Sequence, residues 1–149
     1  MDNPQAKAQN CLTLKHTFKA PREKVFNAWI DPQALMRWFA PSPQFTTPIA
    51  EVNLRVGGRY RIEMLEPDGT RHVVTGIYRE VQRPSRLVFT WSGTGCAAES
   101  EQTLVTIDFI ARGDLTDVVL IHEGFVSERD RQAHLHGWNG CIAQLEAFL

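Results

Sequence analysis

Of the five histidines in the chain, two fall where a proton could be moved inside a protein interior. His122 closes an alternating run, Val118, Leu120, His122, and stands beside Glu123; His134 lies four residues before Trp138 on the apolar stripe of the last segment. An acid or base drawn from this pair is the enzymatic reading. The plainer reading is a core imidazole satisfied by a carbonyl or hydroxyl partner. A metal is not expected: His134 and His136 are two residues apart, hence on different helix faces, and no Cys-x-x-Cys or His-Glu-x-x-His pattern adds further ligands. No Gly-x-Ser-x-Gly elbow, Cys–His placement or paired carboxylate occurs at a spacing that nucleophilic catalysis needs. Gly57-Gly58 precedes a strand pattern rather than a helix, so it reads as a turn and not as a phosphate loop, and no cofactor is expected. The cysteines Cys11, Cys96 and Cys141 are odd in number and far apart, which suggests reduced thiols; Cys141, on a helix stripe, reads as a small buried hydrophobe before it reads as a nucleophile.

What could hold such polar groups is an apolar wall. Trp38, Phe39, Tyr60, Tyr78, Phe89, Trp91, Phe125 and Trp138 supply one, although aromatics at alternating strand positions are more often packing than binding. With Ile62, Met64, Leu120, His122, His134 and Cys141 they make up the expected lining of a pocket, apart from Phe125, which belongs to the aromatic set alone. The sharpest form of this expectation is that Trp38, Tyr60, Trp91, His122, His134 and Trp138 border one common cavity.

The elements that must position these residues follow from periodicity. Residues 1–10 read as a flexible tail ahead of a single domain over 11–149. Leu12, Leu14, His16 and Phe18 alternate as a half-buried strand, and Val25, Phe26, Trp29 and Ile30 then repeat at helical spacing until Asp31-Pro32. Leu35, Trp38 and Phe39 mark a second short helix. Pro41, Pro43 and Pro48 predict an extended loop from Ala40 to Pro48. Strand patterns follow at Val52 to Val56, Tyr60 to Met64, Arg71 to Val81, Leu87 to Trp91, Val105 to Phe109 and Val118 to His122. Turns are expected at Gly57-Gly58, Pro67-Asp68-Gly69, Arg83-Pro84-Ser85 and Arg112-Gly113-Asp114, and a loop over Gly93 to Ser100.

Ser127, with Asp130 at the third helical position, predicts an N-cap. Beyond it His134, Trp138, Cys141, Ile142, Leu145, Phe148 and Leu149 share one stripe, opposite Gln132, His136, Asn139, Ala143 and Glu146. The helix should run roughly 20 residues, about 30 Å, enough to span a sheet. Gly137 and Gly140 inside it each weaken it by up to ~1 kcal/mol, which points to close approach of backbone or ligand there, or else to a locally bent helix. Together these elements predict an α+β helix-grip architecture: a curved antiparallel sheet of about seven strands, two short helices and one long C-terminal helix.

Composition narrows the function. Sixteen Lys plus Arg against 17 Asp plus Glu, scattered along the chain, leave no basic footprint for nucleic acid or anionic lipid. No apolar run approaches a membrane span and residues 1–10 lack a signal-peptide core, so neither membrane insertion nor export is expected and the location expected is cytoplasmic.

The run Ala20-Pro21-Arg22-Glu23-Lys24-Val25-Phe26-Asn27-Ala28-Trp29, then Trp38-Phe39, Asn53-Leu54-Arg55-Val56-Gly57-Gly58-Arg59-Tyr60, His122-Glu123-Gly124-Phe125 and His134-x-x-Gly137-Trp138 resembles the activator-of-Hsp90-ATPase-homologue (AHSA1-like) branch of the SRPBCC, START and Bet v 1 superfamily. The resemblance spans about Leu12 to Leu149 and implies the helix-grip fold. It also implies a superfamily of lipid carriers, receptors, cyclases and hydroxylase subunits, in which fold does not dictate function. Three readings stand at this point. The first is a binding domain for a small, apolar or lipid-like ligand. The second is an interaction module, co-chaperone-like with an Hsp90-type partner or acting in a stress or regulatory response; the third is an enzyme using pocket histidines. A homodimer is compatible with any of them.

Overall fold

The computed structural model describes residues 10–94 and 102–149. Residues 1–9, most of the expected tail, and 95–101, with Cys96 and most of the expected loop, lie outside the described residues. Asn10 itself is anchored, its carbonyl accepting the N–H groups of Gly124 and Phe125 at 3.1 Å.

Strand β1 (Cys11–Phe18) leads into helices α1 (Arg22–Ile30) and α2 (Pro32–Trp38), followed by β2 (Thr46–Val52), β3 (Arg59–Leu65), β4 (Arg71–Gln82), β5 (Arg86–Thr94), β6 (Thr103–Arg112), β7 (Leu115–Glu123) and α3 (Glu128–Phe148). The strands form one antiparallel sheet of seven, in the order β1-β7-β6-β5-β4-β3-β2. This is the α+β helix-grip fold expected from the periodicity. Asp31 both ends α1 and caps α2, its carboxylate accepting Gln33 N–H at 3.0 Å while Pro32 takes the first helical position, where no N–H is needed. Among the described residues no helix is long and apolar enough to cross a membrane.

Three boundaries differ from expectation. The proline-rich segment is already strand by Thr46: Pro48 sits inside β2, an edge strand whose register slips between Thr46 and Ile49, the setting in which a sheet tolerates a residue without an N–H. Residues 53–58 are not strand but a tight turn, with Gly58 N–H donating to Arg55 O and Gly57 at φ 84°, and Val56 at its tip is 67% exposed. Gly93 likewise belongs to β5 rather than to a loop.

Helix α3 begins where the cap predicts. Ser127 Oγ accepts Asp130 N–H at 3.1 Å, and Trp138, Cys141, Ile142 and Leu145 are buried along the expected stripe. Phe148 departs from it: in the last turn, where the helix reaches the edge of the sheet, its ring is exposed, with the Arg37 guanidinium 5.9 Å from its centroid. Gly140 lies against the α2–β2 connection so closely that a Cβ would stand 1.8 Å from the Pro41 carbonyl oxygen, whereas a Cβ on Gly137 would meet nothing within 4 Å. One glycine permits contact and the other leaves space.

Candidate functional site

That space is part of a cavity of about 120 Å³ where α3, the α2–β2 connection and strands β3 to β5 meet. From α3 come two rows at helical spacing, Asp130, His134 and Trp138, and Ala133, Gly137 and Cys141. Phe39 and Pro41 close one end, and Met64, His72, Val74, Trp91 and Gly93 form the sheet side. A smaller inner void of about 20 Å³ lies behind it, lined by Trp29, Leu35, Phe39, Val52, Tyr60, Ile62, Tyr78, Leu87, Phe89 and Trp91. Phe39 and Trp91, ring centroids 6.3 Å apart, line both voids and form the partition between them.

The expected lining residues divide accordingly. Phe39, Met64, Trp91, His134, Trp138 and Cys141 border the outer cavity, and Phe39, Tyr60, Ile62, Tyr78, Phe89 and Trp91 the inner one. Trp38, Leu120 and His122 border neither. Trp38 instead donates Nε1–H to the Ala28 carbonyl at 2.9 Å, because the short α1–α2 corner turns it back on its own helix pair. Leu120 is wholly buried in the core, and His122 stands one side chain behind the wall. Of the six residues expected around one cavity, Trp91, His134 and Trp138 share it.

His72 and Val74 were missed by the sequence reading, as were Pro41, Gly93, Asp130 and Ala133 as lining residues, whereas the sequence singles out Gly137, with Gly140, as a place of close approach of backbone or ligand. Strand parity held the signal for the first two: counting back in twos from Tyr78 passes Gly76, Val74 and His72, all on one face of β4. Gly76 on that face is required, since a Cβ there would stand 1.9 Å from Thr90 O and 2.7 Å from the Tyr60 hydroxyl, which donates to Thr90 O at 2.6 Å. The ladder slip in β4 falls between Tyr78 and Glu80, beyond this run, and both Trp91 and His122 stay buried.

Hydrogen bonds behind the wall dictate how its histidines are protonated. An indole N–H only donates, so Trp138 Nε1–H, 3.0 Å from His122 Nδ1, makes that nitrogen an acceptor and puts the proton on Nε2. Nε2–H then donates to Thr103 Oγ1 at 2.6 Å, and the Thr103 hydroxyl donates to Trp91 O at 3.2 Å. Burial, with the neighbouring His134 adding to it, holds the pKa of His122 well below its ordinary value. By the same logic His134 accepts from Trp91 Nε1–H at 3.3 Å and donates Nδ1–H to the Asp130 carbonyl at 2.8 Å. Every ring nitrogen of the pair is engaged. Burial pushes the Cys141 thiol up to about 12, so it is a poor source of thiolate. On the opposite wall His72 Nε2 lies 2.6 Å from Glu66 Oε2, beneath the ring of Phe45. Among the described residues no group of three or more His, Cys, Asp or Glu is placed to hold a metal ion. The arrangement is an apolar container with its polar groups at the rim or occupied with one another.

The fold has many known counterparts. The crystal structure of a protein from Chromobacterium violaceum superposes with a TM-score of 0.82 at 28% identity, over 93% of this chain and 96% of that one. An AHSA1-like protein from Aeromonas hydrophila, solved by NMR, gives a TM-score of 0.75 at 25% identity, over 93% and 90% of the two chains. The AHSA1 protein of Silicibacter pomeroyi shares the fold at 21% identity and a TM-score of 0.80, over 92% and 95%. No curated protein matches the chain. Residues 19–149 match the family model described as activator of Hsp90 ATPase homolog 1-like protein, and the chain belongs to that family.

Proposed function

We propose that the protein binds a small, largely apolar molecule in the cavity between α3 and the sheet. The observation that carries this reading is a space of about 120 Å³ beside Gly137, in a wall whose larger apolar side chains are Phe39, Met64, Val74, Trp91, Trp138 and Cys141 and whose polar ones are His72, Asp130 and His134. Open space against apolar side chains leaves dispersion contacts unmade. A ligand replaces the missing contacts. His72 with Glu66, and Asp130 at the start of α3, offer polar groups toward the ends of such a molecule.

Acid–base catalysis draws no support from His122 or His134, whose ring nitrogens already hold partners. The three most exposed large apolar side chains, Val126, Val56 and Ile110, lie on different segments of the chain. Native mass spectrometry of freshly purified protein, followed by thermal shift with small aromatics and short-chain lipids, tests the reading. Retained mass or a raised melting temperature is expected, a ligand at 100 times its Kd adding about 2.7 kcal/mol. No bound mass and no shift across the panel would sink it.

A further inference from the structure

We infer that the molecule bound in the outer cavity is a small apolar amine, held as its ammonium ion by the Asp130 carboxylate, with its apolar body against Phe39, Trp91 and Trp138. This rests on the ligand-binding reading above and gives the ligand a charge.

The balance of charge in the wall provides the first observation. Among the described residues no Lys or Arg lines the cavity, and Asp130 is its only Asp or Glu. Asp130 is half-buried, and its backbone is engaged, the N–H donating to Ser127 Oγ at 3.1 Å and the carbonyl accepting His134 Nδ1–H at 2.8 Å. Its carboxylate makes no hydrogen bond or ion pair among the described residues, so it does not reach back to the Ser127 N–H as a capping box would have it do. Arg129 and Arg131 stand about 100° to either side on the helix, and Arg131 Nε is turned to Glu128, 3.6 Å away.

The other polar lining groups bring no positive charge. His134 accepts on Nε2 and donates on Nδ1, so it holds one proton and is neutral. His72 Nε2 lies 2.6 Å from Glu66 Oε2, and imidazole and carboxylate together carry either no net charge or a negative one. An anionic guest would therefore meet a carboxylate with no cation to offset it, whereas an ammonium ion supplies the missing counter-charge. Position gives the guest its two ends. Pro41 lies against Gly140, ten residues from Asp130 and hence about 15 Å along α3, so the charge is at the end opposite Phe39 and Pro41. Trp91 reaches His134, one turn from Asp130, and brings an electron-rich indole toward the charged end, where a cation gains from it.

Phenethylamine, phenethyl alcohol and phenylacetate, similar in size and respectively cationic, neutral and anionic at neutral pH, are the probes, titrated against the whole chain at low salt by calorimetry. Phenethylamine is expected to bind about tenfold more tightly than the alcohol, the worth of a charge-assisted hydrogen bond, and phenylacetate more weakly than either. High salt should shrink the advantage of the amine and leave the alcohol unchanged. Asp130→Asn, which keeps the shape of the side chain and the Ser127 cap, should remove that advantage without moving alcohol affinity. Glu66→Gln should keep most of it. An alcohol that binds as tightly as the amine, or an Asp130→Asn variant that weakens both alike or neither, overturns the inference and leaves the cavity as a binding site. An advantage lost in Glu66→Gln but kept in Asp130→Asn overturns it too. Failure of all three probes to bind also ends it, and the thermal-shift panel of aromatics and lipids then decides separately whether the ligand reading stands.

Discussion

Protonating His122 would set a second N–H against the Trp138 indole N–H, 3.0 Å away, on a ring with no exposure to solvent and with the His134 ring 5.1 Å off. That is why burial first, and His134 second, depress its pKa below 6.5. The consequence for stability has a definite sign. The unfolded chain takes up the proton near pH 6.5 and the folded one does not, so this histidine contributes in full above that pH and progressively less as the pH falls toward its depressed folded value. The slope is at most ~1.4 kcal/mol per pH unit for one proton. Urea unfolding between pH 7.5 and 5.5 should show stability falling with pH, and His122→Asn, which keeps an acceptor for Trp138, should show a shallower fall. Parallel slopes in the two proteins would mean that other groups carry the dependence.

Within α3 the two glycines do opposite work, and replacing each by Ala separates them. Gly140→Ala drives a methyl group into the Pro41 carbonyl, so a loss exceeding about 2 kcal/mol is expected despite the better helix propensity. Gly137→Ala meets open space at the cavity wall and should stabilise by roughly 0.5 to 1 kcal/mol while weakening guest binding. Chemical denaturation of both variants decides it; equal effects would contradict the assignment. Helix α3 was legible because its signals are local: a Ser127 cap and one apolar stripe. The sheet was legible through alternation and turn residues, apart from β2, where Pro48 masks a strand that only an edge position permits. The site was half legible. Parity places a side chain on a face but not at a depth, so Trp38, Leu120 and His122, all facing inward, could not be told from residues at a void. His72 escaped because polar residues on a strand are read first as its solvent face.

At the scale of the molecule, the interior is one aromatic cluster interrupted by two voids, and Phe39 stands between them. Its ring lies 5.3 Å from Trp38, 6.0 Å from Trp138 and 6.3 Å from Trp91, so the connection from α2 to β2 plugs the sheet against α3. Phe39→Ala would remove most of the partition and merge the voids. A buried Phe truncated to Ala loses about 3 to 5 kcal/mol, a large share of the 5 to 15 kcal/mol typical of a domain, yet one that leaves the chain folded at 25 °C in most of that range. The larger cavity should then accept guests the wild type rejects. Naphthalene-sized probes are expected to raise the melting temperature of Phe39→Ala more than that of the wild type, recovering part of the lost stability by filling the space. The comparison is made at one probe concentration in thermal unfolding. A variant as destabilised as expected but blind to every larger probe would show that neighbouring aromatics collapse into the gap, and that the two voids are separated by more than the ring of Phe39.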